Sequence, residues 1–353
     1  MHLSTSNFRR PIPTANWPRV WTVTGTLIVL SLIVWESHWR SQGYTPGHMD
    51  SKDYWAEQRD RVGTGDGKQT VLVGASRVRF DVNLDTWESF RGKRPIQLSM
   101  DGSAGYPYLV DLAEDDQFTG TVICGVTEEI FFMPEFTPLA QSSIVNVRHA
   151  RRRGPSDRVS FEILKFLNVR LAMLRGWDLS LSALIDGALR FENRPGAVTP
   201  PYLPPLFNDD DLDRQARMWE SLTADSELGL LIQRTWPPLF GFGPPHGGPF
   251  LEAVMAKVVK SVETIEARGG RVIFVRFPST DKLREIERQR TPRAKFWDRM
   301  LAETGAPGVH FEDYPALSKY SCPEWSHLTA EDASKFTADL IRAMEAEGLL
   351  AKR

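Results

Sequence analysis

Five short apolar runs alternate with helical patterns along the chain, and each run predicts a buried strand. The runs are VLVG at 71–74, PIQLSM at 95–100, TVIC at 121–124, RVIFV at 271–275 and GVHF at 308–311. Apolar residues at helical spacing occupy 106–118, 250–267, 281–304 and 329–350. Near-continuous apolar strands that alternate with helices are typical of a parallel sheet covered on both faces. The pattern predicts an α/β fold, a three-layer flavodoxin-like sandwich with a five-stranded parallel sheet.

A long stretch without this rhythm separates the third and fourth predicted strands. We predict that residues of about 130–248 form an insertion in a single α/β domain at 69–350, either a cap or a lobe that faces a membrane or a partner. The insertion holds an apolar helix candidate at 161–174 and a Pro-rich region. Residues 41–68 are polar and Gly-rich, which predicts a linker containing a short helix at 54–61.

The N-terminal region contains a long apolar run without a charge, VWTVTGTLIVLSLIVW at 20–35. A spanning helix usually needs about 20 apolar residues, and the flanking Trp17 and Trp39 lengthen this run as an interfacial aromatic belt would. A cleavable signal peptide would need a small-residue cleavage site, which the run lacks. A buried core helix is the other alternative. The run therefore favours an uncleaved anchor, with residues 1–40 as cytoplasmic N-terminus and transmembrane helix.

The charges beside this run predict its orientation. Arg9, Arg10 and Arg19 precede the run, and no acidic residue occurs before Glu36. The positive-inside rule then places the N-terminus in the cytoplasm and the main domain across the membrane. The formal net charge is −2, so no global field indicates nucleic acid as a partner.

The chain has two cysteines, Cys124 and Cys322, which excludes a disulfide-rich scaffold and a multi-cysteine zinc site. Outside the cytoplasm the two could pair in one bridge, and two separate thiols are the alternative. No spacing of His, Asp and Glu is typical of a metal site. We predict no metal and no cofactor.

The candidate chemistry lies after the strands, because ligands of parallel α/β sheets bind outside the carboxyl ends of the strands. Ser76 follows the first strand, Gly102 and Gly105 follow the second, Thr127 follows the third, and His327 lies in a loop after the fifth. These segments are expected to converge on one edge of the sheet.

This set of residue types suits acyl transfer. A serine hydroxyl is a weak nucleophile that needs a base, which His327 could supply. Glu324 could fix the tautomer of the imidazole, and backbone N–H groups near Ser76 could stabilise an oxyanion. Each of these residues could also have a purely structural role. A serine often ends a strand, and Thr329 with Asp332 is typical of the start of a helix. The order and placement together indicate a nucleophilic site.

The basic residues near these segments could bind an anionic ligand or could have only a structural role. Arg77 and Arg79 could bind an anion such as a uronate or phosphate, or they could form salt bridges, for example with Asp81 or Asp101. The arginine-rich stretch 148–153 could meet anionic lipid headgroups or an acidic polysaccharide, or be a solvated loop.

The sheet-edge segments resemble the SGNH (GDSL-type) hydrolase superfamily. That family carries its serine in a Gly-Asp-Ser-like turn after strand one, a glycine block after strand two, Gly-x-Asn-Asp after strand three and Asp-x-x-His before the last helix. The matching segments here are Gly74-Ala75-Ser76, Gly102 or Gly105, Gly125-Val126-Thr127-Glu128 and Glu324-Trp325-Ser326-His327. The resemblance covers residues 70–130 and 270–347. The first block is most similar to membrane-anchored, exported proteins of cell-envelope polysaccharide acylation.

The resemblance implies a serine acyl-enzyme in which Ser76 attacks, His327 shuttles the proton and Glu324 orients His327. It implies an O-acyltransferase or esterase that acts on acyl groups of a cell-envelope polysaccharide or glycolipid, anchored in a bacterial inner membrane with an extracytoplasmic domain. Two positions depart from the family, because Thr127 replaces its Asn and Glu324 its Asp. The alternative is a catalytically degenerate scaffold that binds glycan or recruits a membrane acyltransferase or synthase.

Overall fold

The computed structural model describes residues 15–48, 50–174, 179, 207–241 and 247–352. Part of the predicted insertion, at 175–178, 180–206 and 242–246, lies outside the described residues, as do Arg9 and Arg10. The described residues form seven strands: β1 Thr70–Val73, β2 Ile96–Gln97, β3 Thr121–Gly125, β4 Asn208–Asp210, β5 Ala216–Met218, β6 Arg271–Arg276 and β7 Gly308–His310.

The helices among the described residues begin and end as follows: α1 Trp17–Ser41, α2 Lys52–Arg59, α3 Ser76–Asp81, α4 Leu84–Arg91, α5 Tyr106–Ala113, α6 Glu128–Phe131, α7 Pro138–Arg152, α8 Pro155–Asn168, α9 Glu227–Gly241, α10 Gly248–Ala267, α11 Asp281–Arg290, α12 Trp297–Thr304, α13 Pro315–Ser318 and α14 Ala330–Ala346.

A five-stranded parallel sheet forms the centre of the molecule, in the order β2-β1-β3-β6-β7. The prediction of five parallel strands is confirmed. Alternate side chains of each strand point to opposite faces, and both faces are buried. One face carries Val71, Val73, Val122 and Cys124 against α5, α10 and α12, whereas the other carries Leu72, Ile123 and Ile273 against α4 and α14.

The segment between β3 and β6 (residues 126–270, hereafter the β3–β6 segment) adds a second, smaller sheet that the sequence pattern did not indicate. Its strands β4 and β5 pair antiparallel. Together with α9 they form a third apolar cluster, which includes Phe207, Met218 and Trp236 and packs on Phe80 of α3. The β3–β6 segment therefore covers the helix that follows β1.

Helix α1 is long and apolar enough to cross a membrane, and it is the one such helix among the described residues. Its side chains are almost all exposed, and none is buried against the rest of the chain. The apolar run 20–35 is exposed along its whole length, which is unlike a core helix of a globular domain. The reading of 20–35 as a buried core helix is therefore wrong.

Two sequence predictions need correction. Residues 41–68 were expected to form a linker, but α2 packs into the core: Trp55 is fully buried, and its indole N–H donates to the Leu98 carbonyl at 2.7 Å. The helix expected over 281–304 is two helices, because Pro292 cannot continue the first one.

The two cysteines are buried free thiols. Cys124 points into the cluster on one face of the sheet, and Cys322 belongs to the cluster on the other face. The sheet therefore stands between them, and the structure holds no bridge between Cys124 and Cys322.

Candidate active site

Ser76 is the first residue of α3 and lies immediately beyond the carboxyl end of β1. The turn passes through Gly74, whose φ of 150° is accessible to glycine and costly for other residues. A Cβ at Gly74 would also lie 2.5 Å from a methyl group of Val78. The glycine thus allows the sharp change from strand to helix that leaves the Ser76 side chain partly exposed.

Ser76, His327 and Glu324 form one continuous chain of hydrogen bonds. The Ser76 Oγ lies 2.7 Å from His327 Nε2, and His327 Nδ1 lies 2.9 Å from Glu324 Oε1. A carboxylate accepts from Nδ1–H, which leaves Nε2 free to accept the serine proton. His327 and Glu324 are buried, at 1% and 0% exposure. The predicted nucleophile, base and orienting acid are therefore brought together.

A strained turn lets Glu324 reach a histidine only three residues away. Trp325, between them, has φ 78°, a left-handed conformation that a bulky residue rarely adopts. The turn is held by hydrogen bonds from the Trp325 N–H to the Cys322 carbonyl and from the Thr280 N–H to the Trp325 carbonyl. Backbone strain of this kind persists only where the surrounding structure enforces it.

The Glu324 carboxylate has more partners than the histidine. Oε1 also accepts from the backbone N–H groups of Ser326 and His327, and Oε2 accepts from the indole N–H of Trp236 at 2.7 Å. Hydrogen bonds of this type stabilise the ionised form of a buried carboxylate. Trp236 belongs to α9, so the β3–β6 segment supplies one of the four donors.

Aromatic rings enclose His327. Its ring lies 4.4 Å from that of Phe80, 5.7 Å from that of Phe207 and 6.0 Å from that of Trp236, between centroids. Such an enclosure excludes water from the imidazole and strengthens its hydrogen bonds. Phe207 and Trp236 both come from the β3–β6 segment, which therefore forms part of the wall of the site.

The two glycines proposed for the oxyanion side lie in different places. Gly105 is buried against the serine turn, where an added Cβ would come within 2.9 Å of the Gly74 Cα. Gly102 is exposed at a turn with φ 56°, and the nearest atom to a Cβ there belongs to Leu139. Of the two, Gly105 is the residue that adjoins Ser76.

The remaining oxyanion candidates also lie at the edge of the sheet. Thr127 is buried two residues beyond β3, and its side chain makes no capping bond to α6. The N–H groups of Ser76 and Gly105 have no partner among the hydrogen bonds of the described residues. All three groups are thus available as donors.

Arg77 is buried and does not face solvent. Its guanidinium donates to Glu287 at 2.6 Å and to the Ser326 hydroxyl at 3.3 Å. The ion pair with Glu287 matches the salt-bridge reading of Arg77. The contact with Ser326 also braces the turn that carries Glu324 and His327.

Arg79 lies at the centre of a buried charge network. Its guanidinium pairs with Asp101 at 2.5 Å, with Asp50 at 3.2 Å and with Asp210, and it donates to the Arg214 carbonyl. The Arg214 side chain pairs with Asp50 in turn, at 2.6 Å. The salt bridge with Asp101 confirms the structural reading of Arg79. Three distant segments thus hold the α3 helix.

A further carboxyl lies behind the histidine. Asp81 Oδ1 accepts from the Leu328 N–H at 2.9 Å, while Oδ2 has no partner among the described residues. Burial raises the pKa of Asp81 to about 7, although the nearby His327 and Arg77 act to lower it. Asp81 thus holds the backbone next to His327 and carries its own proton in acid solution.

Comparison with known proteins gives no match: no family model, curated protein or solved structure is similar to this chain.

Sequence reasoning missed several residues that shape the site, namely Trp236, Phe207, Asp50 and Asp210. All four lie outside the segments that follow the main strands. No local pattern marks them, because their role depends on contacts between positions as far apart as Trp236 and Glu324.

Proposed function

We propose that the protein is a membrane-anchored serine O-acyltransferase or esterase that acts on acyl groups of a cell-envelope polysaccharide or glycolipid. The observation that carries the proposal is the chain from the Ser76 hydroxyl through His327 to the Glu324 carboxylate, at 2.7 and 2.9 Å. Nucleophile, base and orienting acid in this order are what acyl transfer requires. The resemblance to the SGNH superfamily points to the same three residues.

The reaction proceeds through an ester on Ser76. Ser76 Oγ attacks the acyl carbonyl carbon while its proton passes to His327 Nε2, and Glu324 stabilises the imidazolium. The N–H groups of Ser76 and Gly105, with the Thr127 hydroxyl, hold the oxyanion. The C–O bond to the leaving alcohol breaks, and that alcohol takes the proton from His327. A sugar hydroxyl or water then attacks the acyl-serine and gives its proton to His327. The bond between the acyl carbon and Ser76 Oγ breaks, and His327 returns the proton to Ser76 Oγ, which restores the free enzyme.

Helix α1 and the charges before it support the proposed location of the domain. The helix is long and apolar enough to span, and the arginines on its N-terminal side favour a cytoplasmic N-terminus. The main domain then lies outside the cytoplasm, at the bacterial inner membrane, where cell-envelope glycans carry their acyl groups.

The fold proposal is a flavodoxin-like sandwich with the β3–β6 segment inserted between its third and fourth strands. Without the small β4–β5 sheet, the order β2-β1-β3-β6-β7 corresponds to 2-1-3-4-5, which is the flavodoxin-like order. In this arrangement ligands bind at the carboxyl edge, where Ser76 and His327 meet.

Labelling by a fluorophosphonate probe tests the proposal directly. The probe forms a covalent bond only with an activated serine, so the full-length protein in mild detergent should be labelled and Ser76→Ala should not. Ser103→Ala is a matched control, because Ser103 is a buried serine after β2 that is bonded to the Met100 carbonyl. This control should keep full labelling.

The outcome also separates the two readings of the sequence. A folded wild-type protein that is never labelled would exclude the acyl-enzyme and leave the glycan-binding or recruiting scaffold. Labelling that persists in Ser76→Ala would place the nucleophile elsewhere. With an activated ester as donor, acyl release in the presence and absence of glycan distinguishes transfer from hydrolysis.

A further inference from the structure

Helix α8 packs on the domain with one face, and its opposite face is exposed among the described residues. Phe161 is buried, and its ring packs edge-on against that of Tyr54 in α2 at 4.7 Å. Lys165, one turn later, bonds Glu57 of α2 at 2.7 Å. These contacts fix α8 on the domain and determine which of its sides points outward.

The outward face of α8 is apolar. Val159, Ile163 and Phe166 are spaced by four and three residues, which places them on one stripe of a helix. They are 61%, 56% and 57% exposed. The exposed large apolar residues of the described chain outside α1 are concentrated here, since Leu164 and Val169 belong to the same group. An exposed apolar stripe of this kind marks an interaction surface.

The chain that leaves α8 is bonded to the end of α1. The Gly47 N–H donates to the Asn168 carbonyl, and Arg40 donates to the Arg170 carbonyl at 2.7 Å. The Glu36 carboxylate accepts from the backbone N–H groups of residues 172–173, both at 2.9 Å. Glu36 and Arg40 are in the last turns of α1, just beyond its apolar run, so α8 ends at the level where α1 leaves the membrane.

Basic residues beside this face and on the preceding helix suit a lipid surface. The Arg170 guanidinium lies 3.7 Å from the centre of the Phe166 ring and is exposed. Arg148 and Arg152, in the last turns of α7, are exposed as well. An apolar stripe with cations beside it is the composition of helices that lie in a membrane interface.

We propose that α8 lies in the headgroup region of the membrane that α1 spans, with Val159, Ile163 and Phe166 inserted among the lipids. We assign the lipid surface as the partner of this face because α8 is bonded to the end of α1, where α1 leaves the membrane. The exposed apolar face therefore lies next to lipid. The domain is then attached at two places, and its site is held at a fixed height and orientation. This inference rests on the membrane anchoring in the proposed function and is independent of its acyl chemistry.

Site-specific quenching tests this placement in the full chain, reconstituted in vesicles of phosphatidylethanolamine and phosphatidylglycerol. Ile163→Cys carries an environment-sensitive fluorophore, and native Cys124 and Cys322 are too buried to react in the folded protein. Lys335→Cys is the control, an exposed position on α14, which covers the face of the sheet opposite to the one against which α2 packs. Leu27→Cys in α1 reports whether the anchor is inserted.

The expected result is quenching of the Ile163 probe by lipid-attached nitroxide, with a lipid-to-water quenching ratio about threefold or more above that of the Lys335 probe. Equal ratios at Ile163 and Lys335 would overturn the proposal. A probe shielded from both lipid and aqueous quenchers would also overturn it, because protein, such as a second copy of the chain, would then cover the face. Loss of lipid quenching at Leu27 would refute the anchor itself, and serine labelling would remain a separate readout.

Discussion

Two histidines are buried at the carboxyl edge of the sheet, and their surroundings differ in kind. His327 lies between a carboxylate on Nδ1 and a serine hydroxyl on Nε2. His310, at the end of β7, accepts the Glu312 N–H on Nδ1. Burial and the arginines around it, Arg276 first, lower the pKa of His310 to about 3. Both histidines lie at the sheet edge, so this position alone does not make a histidine a catalytic base. The partners of the two ring nitrogens distinguish His327 from His310.

The sharpest test of this comparison exchanges each histidine for glutamine. His327→Gln removes the proton acceptor for Ser76, and loss of a general base costs about 100- to 10,000-fold. We therefore expect fluorophosphonate labelling of the full-length protein to slow by that factor. His310→Gln, which keeps a side-chain acceptor, should label at the wild-type rate. Similar losses in both variants would mean that the two sites are not functionally distinct.

Exchange of the two carboxylates sharpens the same contrast. Glu324→Gln preserves the shape of the side chain but removes the charge that stabilises the imidazolium, and we expect labelling to slow by about 100-fold or more. Glu312→Gln is the control, since Glu312 serves Arg284 and Arg288 instead of a catalytic histidine. Labelling kinetics of the two variants under one set of conditions decide the point. An unaffected Glu324→Gln protein would contradict the assigned role.

Trp236 offers a smaller and more specific effect. Trp236→Phe keeps an aromatic ring but removes the indole donor to Glu324 Oε2, and a hydrogen bond to a charged group is worth about 1.5–3 kcal/mol. We expect labelling to slow about tenfold. Phe240→Leu, in the same helix and cluster, is the control and should label at the wild-type rate.

The last prediction concerns the pH dependence of the free energy of unfolding. His310 and Asp81, which lies behind His327, change this free energy with pH in opposite directions. Unfolded His310 binds a proton below pH 6.5, but the folded residue does so only near pH 3, so this group makes stability fall as the pH is lowered. Asp81 acts in reverse: the folded carboxyl keeps its proton up to about pH 7 and the unfolded one loses it near 3.8, so stability falls as the pH rises. Each contributes about 1.4 kcal/mol per pH unit within its window.

The two contributions oppose each other between about pH 4 and pH 6, and variants separate them. Relative to the wild type, the free energy of unfolding of Asp81→Asn should rise with pH across this window, and that of His310→Gln should fall. Urea titrations in mild detergent at several pH values measure both slopes. A variant whose slope equals that of the wild type would show that the residue exchanged in it titrates alike in the folded and unfolded protein.

The strands and the triad were predictable from the sequence because both depend on local patterns. Short apolar runs marked all five strands of the main sheet, and parallel pairing places residues that follow them at one edge. Ser76, Glu324 and His327 could therefore be assembled without knowing the rest of the fold.

The surroundings of the triad were not predictable, because they depend on contacts between distant segments. Trp236 meets Glu324 from a helix with no motif, and Asp50 meets Arg79 from a stretch that reads as a linker. That stretch contains only a few apolar residues, yet Tyr54, Trp55 and Ala56 are buried, so it belongs to the core. The free state of Cys124 and Cys322 likewise required knowing which face of the sheet each one occupies.

The salt bridges of Arg79 bear on how the protein becomes active during synthesis. Asp50 and Ser76 leave the ribosome early, whereas Asp210 and His327 follow only after most of the chain has been made. The ion pair between Arg79 and Asp210, which helps to hold the helix that presents Ser76, forms only after Asp210 has been synthesised. An incomplete or truncated chain would thus carry a serine without an activating partner, and the nucleophile would remain silent until the whole polypeptide had folded.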